Sequence, residues 1–167
     1  MSTDKKDKAA SLAELAGKYL AFELSDEIYG IEILKVQELI GMMKVTRVPR
    51  VPHFIKGIIN LRGKVIPVID LRLKFGLPTL DISEKTCIIV VQITRENSKI
   101  IIGLMVDEVS EVIDIKTEQI EIAPSFGSSV NTDFLLGIGK VNDKVIMLME
   151  VDQVLSVDEL SDVADIA

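Results

Sequence analysis

Few residues in this chain are suited to covalent chemistry. Its 167 residues include one histidine, His53, and one cysteine, Cys87. A Ser-His-Asp or Cys-His arrangement would have to run through His53, which sits in Val51-Pro-His-Phe-Ile55, a turn entering a strand. The expectation there is a loop histidine at or near the surface. Cys87 opens an Ile/Val-rich run, where a buried, inert thiol is expected. With one residue of each kind, a His/Cys metal site lacks ligands. Gly57 to Lys64 invites comparison with a phosphate loop, but Val65 stands where Ser or Thr should follow the lysine. The following run is also strand-like rather than helical. Carboxylates at Asp70, Asp107, Glu108, Glu111 and Glu150 leave acid–base chemistry open, while the plainer reading has them capping turns and facing water. The residues thus predict a protein that is not an enzyme and needs no cofactor or metal.

The elements that would position these residues are strands. Hydrophobic residues make up 48% of the chain and aromatics 4%, so the core rests on Ile, Val and Leu, which suit pleated sheet. A formal net charge of −7 without a Lys/Arg run argues against nucleic acid. Residues 1–18 are charged and small, without the apolar core of a signal peptide, and read as a flexible tail. No apolar run approaches a membrane span, so a cytoplasmic protein is expected. Hairpin turns are predicted at Ser25-Asp26, Arg62-Gly63, Glu96-Asn97-Ser98 and Asn142-Asp143, and short helical turns at Leu34 to Leu39 and Asp70 to Phe75. Residues 156–167 carry Leu160, Val163 and Ile166 at helical spacing and read as a tail or short, weakly docked helix.

An internal repeat organises the rest. The run from Tyr29 to Ile40 aligns with Ile102 to Ile113, 73 residues on, with 4 identities in 12 positions. The run from Gly57 to Leu71 aligns with Gly137 to Val151, 80 residues on, with 5 identities in 15. Most other positions exchange one aliphatic residue for another. The change of offset places extra residues in the second copy's linking loop, around Phe126 to Phe134. The repeat predicts an all-β fold of two small barrels, residues 19–84 and 85–155, each of about five short strands. Neither buries enough surface alone, so the two should share an apolar seam, and they are free to exchange strands. Glu38 is matched by Glu111, which favours a structural or docking role, whereas Arg62 meets Asn142.

Three stretches carry a further likeness: Glu27-Ile-Tyr-Gly-Ile-Glu-Ile-Leu-Lys-Val-Gln-Glu38, Phe54-Ile-Lys-Gly-Ile-Ile-Asn-Leu-Arg-Gly63 and Gly103-Leu-Met-Val-Asp-Glu-Val-Ser-Glu-Val112. With Val65-Ile-Pro-Val-Ile-Asp-Leu-Arg72, this ordered set resembles the CheW-type chemotaxis coupling proteins from about Tyr19 to Leu155. The resemblance implies SH3-like five-stranded barrels. It also implies an adaptor that links the cytoplasmic tips of chemoreceptors to the regulatory domain of a CheA-type histidine kinase, recruited to membrane-bound receptor arrays without inserting into the membrane. Carried onto this chain, receptor-binding positions are Glu27, Ile33, Val36, Glu38, Leu39 and Arg62, and kinase-binding positions are Lys56 and Phe126. Alternatives from other classes are a binding module for another signalling kinase and a carboxylate-based enzyme.

Overall fold

The computed structural model describes residues 13–79, 81–95, 97–122 and 134–166. The first unit of the repeat contributes β1 (Gly17–Leu24), β2 (Glu27–Glu32), β3 (Val36–Gly41), β4 (Ile55–Leu61), β5 (Lys64–Asp70) and the short helix α1 (Leu71–Lys74). The second contributes β6 (Cys87–Arg95), β7 (Ser98–Val106), β8 (Glu108–Ile115), β9 (Ile120–Glu121), β10 (Leu135–Val141) and β11 (Lys144–Met149). Helix α2 (Val157–Ile166) closes the chain. The helical turn expected from Leu34 to Leu39 is shorter than that: a 3₁₀ turn spans Ile33–Lys35, and Val36 already begins β3. β-branched Val36 and Ile40 with Leu39 on one short segment suit the pleat once the turn has redirected the chain.

The strands form two sheets, one ordered β8-β1-β2-β11-β10-β9 and the other β3-β6-β7-β5-β4. Each sheet takes its opening hairpin from one unit and the remaining strands from the other. The β1–β2 hairpin lies with β8 to β11, and the β6–β7 hairpin lies with β3 to β5. Two parallel contacts carry this exchange: β2 beside β11, with Gly30 opposite Leu148, and β7 beside β5, with Gly103 opposite Val68. These pairs are equivalent under the sequence repeat, as are the antiparallel pairs Gly57–Val68 and Gly137–Leu148. The correspondence extends to small features. The Asp70 N–H donates to the Phe54 carbonyl and the Glu150 N–H to the Phe134 carbonyl. Thr46 bridges Ile58 where β9 pairs with Ile138.

The turns follow from backbone chemistry. Ser25-Asp26, Arg62-Gly63 and Asn142-Asp143 each place two residues at positive φ, as two-residue hairpins that match strand twist require. Asp70 ends β5 and caps α1, its carboxylate accepting from the Arg72 N–H at 3.0 Å.

Strand exchange makes three cores rather than two. One lies within the five-stranded sheet, around Ile59, Ile66, Val68, Ile88 and Val90. A second lies within the other sheet, around Tyr19, Ile115, Ile120, Ile146 and Leu148. The largest is the seam between sheets, where Phe22, Leu24 and Ile31 meet Ile69, Ile89, Val91 and Leu104. β6 is therefore buried on both faces, with Ile88 and Val90 facing one core and Ile89 and Val91 the other, which accounts for its unbroken apolar run. Leu160 and Val163 of α2 also enter the seam, so this helix is packed rather than trailing. Its first turn is held by a reciprocal pair: the Ser156 N–H donates to the Glu159 carboxylate at 2.8 Å, and the Glu159 N–H donates to Ser156 Oγ at 3.1 Å.

Gly57 marks a place where the fold admits no side chain. Its φ is +149°, and a Cβ there would run into the Thr46 carbonyl. Gly41 has open space around it. Gly57→Ala should therefore lower unfolding free energy by about 3 kcal/mol, and Gly41→Ala by no more than about 1 kcal/mol, in urea titrations of the two variants.

Candidate functional site

Glu38 lies on β3 and Arg62 at the β4–β5 turn, at the two ends of the five-stranded sheet. The sheet curls until they meet. Arg62 Nη1 donates to both Glu38 carboxylate oxygens, at 3.1 and 2.9 Å, and Nη2 completes the fork on Oε1. The pair stands over Leu61, Ile66, Val90 and Ile101, which floor a depression of about 430 Å³. An arginine at φ 51° is conformationally costly where the equivalent Asn142 adopts φ 51° with less penalty. The side chain of Arg62, rather than the turn, therefore accounts for an arginine at this position. Asn60 supports the loop by accepting the Gly63 N–H at 2.8 Å.

The other expected positions distribute as follows. Leu39, 45% exposed, follows Glu38 on β3, and Val36 opens the same strand. Ile33 begins the 3₁₀ turn that carries the chain from one sheet to the other. Glu27 opens β2 beside the β1–β2 turn, at the far end of that strand from Ile33. Lys56 is exposed on β4. Phe126 lies outside the described residues. The structure thus joins Glu38 to Arg62 directly, sets Leu39 and Val36 on the same strand, and holds Glu27 apart.

Sequence reasoning passed over Leu34, which is 94% exposed in the 3₁₀ turn. A signal existed, because its counterpart in the repeat is Asp107, and an aliphatic residue in place of an acid breaks the aliphatic-for-aliphatic pattern. Two carboxylates expected to face water do not. Asp70 is buried, and Asp107 accepts a two-pronged bond from Arg72, Nε to Oδ1 and Nη2 to Oδ2, each 2.7 Å. The hydrogen bond to Asp107 raises the Arg72 pKa above its ordinary value. Arg72 Nη1 donates to the Pro78 carbonyl at 2.9 Å, and Asp107 Oδ2 also accepts the Ser25 N–H at 2.8 Å. Lys35 donates to Asp152 at 3.0 Å, a bond that raises the lysine's pKa. Burial, and then the charge of Glu150, raises the Glu32 carboxyl beside it. These pairs lock the scaffold. His53 is exposed, and the half-buried Cys87 thiol donates to the Lys85 carbonyl at 3.1 Å.

The family model for the CheW-like domain matches residues 18–159. The chain is 39% identical to the chemotaxis protein CheW of Klebsiella aerogenes over 95% of its own length and 96% of that protein. It is 38% identical to the chemotaxis protein CheW of Helicobacter pylori, over 84% of this chain and 82% of that one. In three dimensions it is similar to the crystal structure of the scaffolding protein TtCheW from Thermoanaerobacter tengcongensis. That match has a TM-score of 0.76 and 39% identity, and covers 87% of this chain and 96% of that one. The chain belongs to the CheW-like family, a class of double-sheet chemotaxis scaffolds.

The two arginines should separate cleanly in stability measurements. Arg72→Ala leaves the part-buried Asp107 without its partner and should cost about 2–4 kcal/mol. Arg62→Ala removes an exposed pair and should cost no more than about 1 kcal/mol in the same denaturation experiment.

A pH effect follows at α2. Burial pushes the Glu159 carboxyl up, but the Ser156 N–H and then Lys74, 2.9 Å away, outweigh it and hold the pKa below the ordinary 4.5. A depressed carboxylate stabilises above its unfolded pKa and loses that contribution as pH falls through the folded value. Amide protection factors in α2, taken relative to intrinsic exchange at each pH, should therefore fall on acidification below about pH 4.5, and Glu159→Gln should flatten that dependence.

Proposed function

We propose that this chain is a non-enzymatic adaptor that couples the cytoplasmic tips of chemoreceptors to the regulatory domain of a CheA-type histidine kinase. The observation that carries the receptor assignment is the Glu38–Arg62 clamp. It is a two-pronged ion pair that adds little stability at an exposed site and stands on a strained arginine, and the exposed Leu39 follows it on the opposite face of β3. Such an edge strand suits a helical tip: the aliphatic residue on one face provides contact area, and the oriented ion pair on the other provides direction. Ile33, Val36, Glu38, Leu39 and Arg62 form this reading of the receptor face, with Glu27 at the distal end of β2. Lys56 and Phe126 are the positions for the kinase. No described helix is long and apolar enough to cross a membrane, and the proposed location is cytoplasmic, held at receptor arrays through these contacts.

Calorimetry with a receptor-tip fragment and, separately, the kinase regulatory domain tests this reading. Arg62→Ala and Leu39→Ala should each weaken receptor binding by about 1–3 kcal/mol and leave kinase binding unchanged. The reversed pair Glu38→Arg with Arg62→Glu restores the ion pair within the chain but presents opposite charges outward. Its receptor affinity should stay low if the partner reads those charges. Equal loss for both partners, or no loss for either, would count against the assignment.

A further inference from the structure

The two parallel contacts that join the units are alike in backbone and apolar content. Ile31 and Met149 meet at one, and Leu104 and Ile69 at the other. Both strand ladders are short, parallel and aliphatic, so the ladders alone do not distinguish a first unit from a second. On the ladders alone, a unit could accept a hairpin from a like unit of another molecule.

The ion pairs at these contacts do distinguish them. Beside one contact Arg72 of the first unit meets Asp107 of the second, at 2.7 Å. Beside the other, Lys35 of the first unit meets Asp152 of the second, at 3.0 Å. Under the repeat Arg72 and Asp152 are equivalent, and Lys35 follows directly on Leu34, the counterpart of Asp107. The same place is therefore filled twice with opposite polarity, and both cations come from the first unit while both anions come from the second. Both carboxylates also hold backbone of a hairpin: Asp107 accepts from Ser25 N–H and Asp152 from Thr94 N–H at 2.9 Å. In a pair of first units Arg72 would lose Asp107 and face Leu34 and Lys35. Glu32, which the Asp152 charge now opposes, would offset part of that repulsion, while its neighbour across the parallel contact would be Asp70 in place of Glu150. In a pair of second units Asp152 would face Asp107 and Glu108. Leaving a part-buried charge without its partner, or facing a like charge, disfavours such a contact.

We propose that Lys35, Arg72, Asp107 and Asp152 form a pairing code that admits only the opposite unit, so that hairpins exchange within one chain and not between like units of separate molecules. The code acts by excluding a wrong partner, namely a second copy of the same unit.

A protease site is inserted in the exposed segment from Asp81 to Lys85, which joins the units. The full chain is folded, cut there, unfolded in urea, refolded as the mixture of its two pieces, and weighed intact by native mass spectrometry. The wild-type protein should return mixed pairs in about tenfold or greater excess over like pairs, where unbiased re-pairing would give equal numbers of both. In the variant R72D/D152R both mixed contacts become like-charged and both like-unit contacts become complementary, so like pairs should predominate or mixed pairs should be lost. Adding K35D and D107R restores complementarity with every sign reversed, and mixed pairs should return. The quadruple variant also guards against simple misfolding, since it carries more substitutions than the double one. Like pairs in statistical proportion from the wild type, no mixed pairs from it, mixed pairs alone from R72D/D152R, or no recovery in the quadruple variant would each overturn the proposal.

Discussion

The exchange of hairpins between the two units is the constraint on which the rest of the structure depends. It is carried by two short parallel ladders, β2 on β11 and β5 on β7. Crossing the chain from one sheet to the other at Ile33–Lys35 means that neither sheet is complete without residues from the opposite unit. Burial follows from this. β1, β2, β6 and β7 each face a sheet interior on one side and the common seam on the other, so a chain of short strands with little aromatic content still fills three cores. A small barrel of this length would bury too little apolar surface to stand alone, and sharing strands converts two marginal cores into one cooperative body.

The same constraint positions the candidate site. Curling of the five-stranded sheet brings β3 and the β4–β5 turn together, and the Glu38–Arg62 pair spans the gap that the open order leaves. The link that delivers β3 to that sheet also holds Ile33 and Leu34 at the junction, so the aliphatic and charged parts of the face descend from one crossing of the chain. The part-buried Arg72–Asp107 pair and the exposed Glu38–Arg62 pair illustrate a division of labour. The first is desolvated, shared with backbone groups and tied to stability. The second is solvated, contributes little to folding, and is free to be read by another protein.

Much of this was legible in the sequence. The repeat anticipated the equivalence of Gly30 with Gly103 and of Gly57 with Gly137, because like residues recur at like register positions of the ladders. Helix α1 was legible from its capping aspartate, and α2 from its spacing of Leu160 and Val163. Which hairpin completes which sheet was not legible, since two similar units give similar ladders whether or not they exchange. The Glu38–Arg62 contact was hidden for a related reason: it depends on sheet curvature joining residues that neither strand pairing nor sequence spacing brings together. Asp107 read as a solvated carboxylate because its partner lies on another unit.

An adaptor must hold two partners at the same time on separate faces. Sedimentation of the purified chain with a chemoreceptor-tip fragment and a CheA-type kinase regulatory domain, singly and together, addresses that requirement directly. The account predicts a boundary containing all three proteins when both partners are present, sedimenting faster than either binary mixture. Mutual displacement of the two partners, with only binary complexes at any ratio, would contradict it.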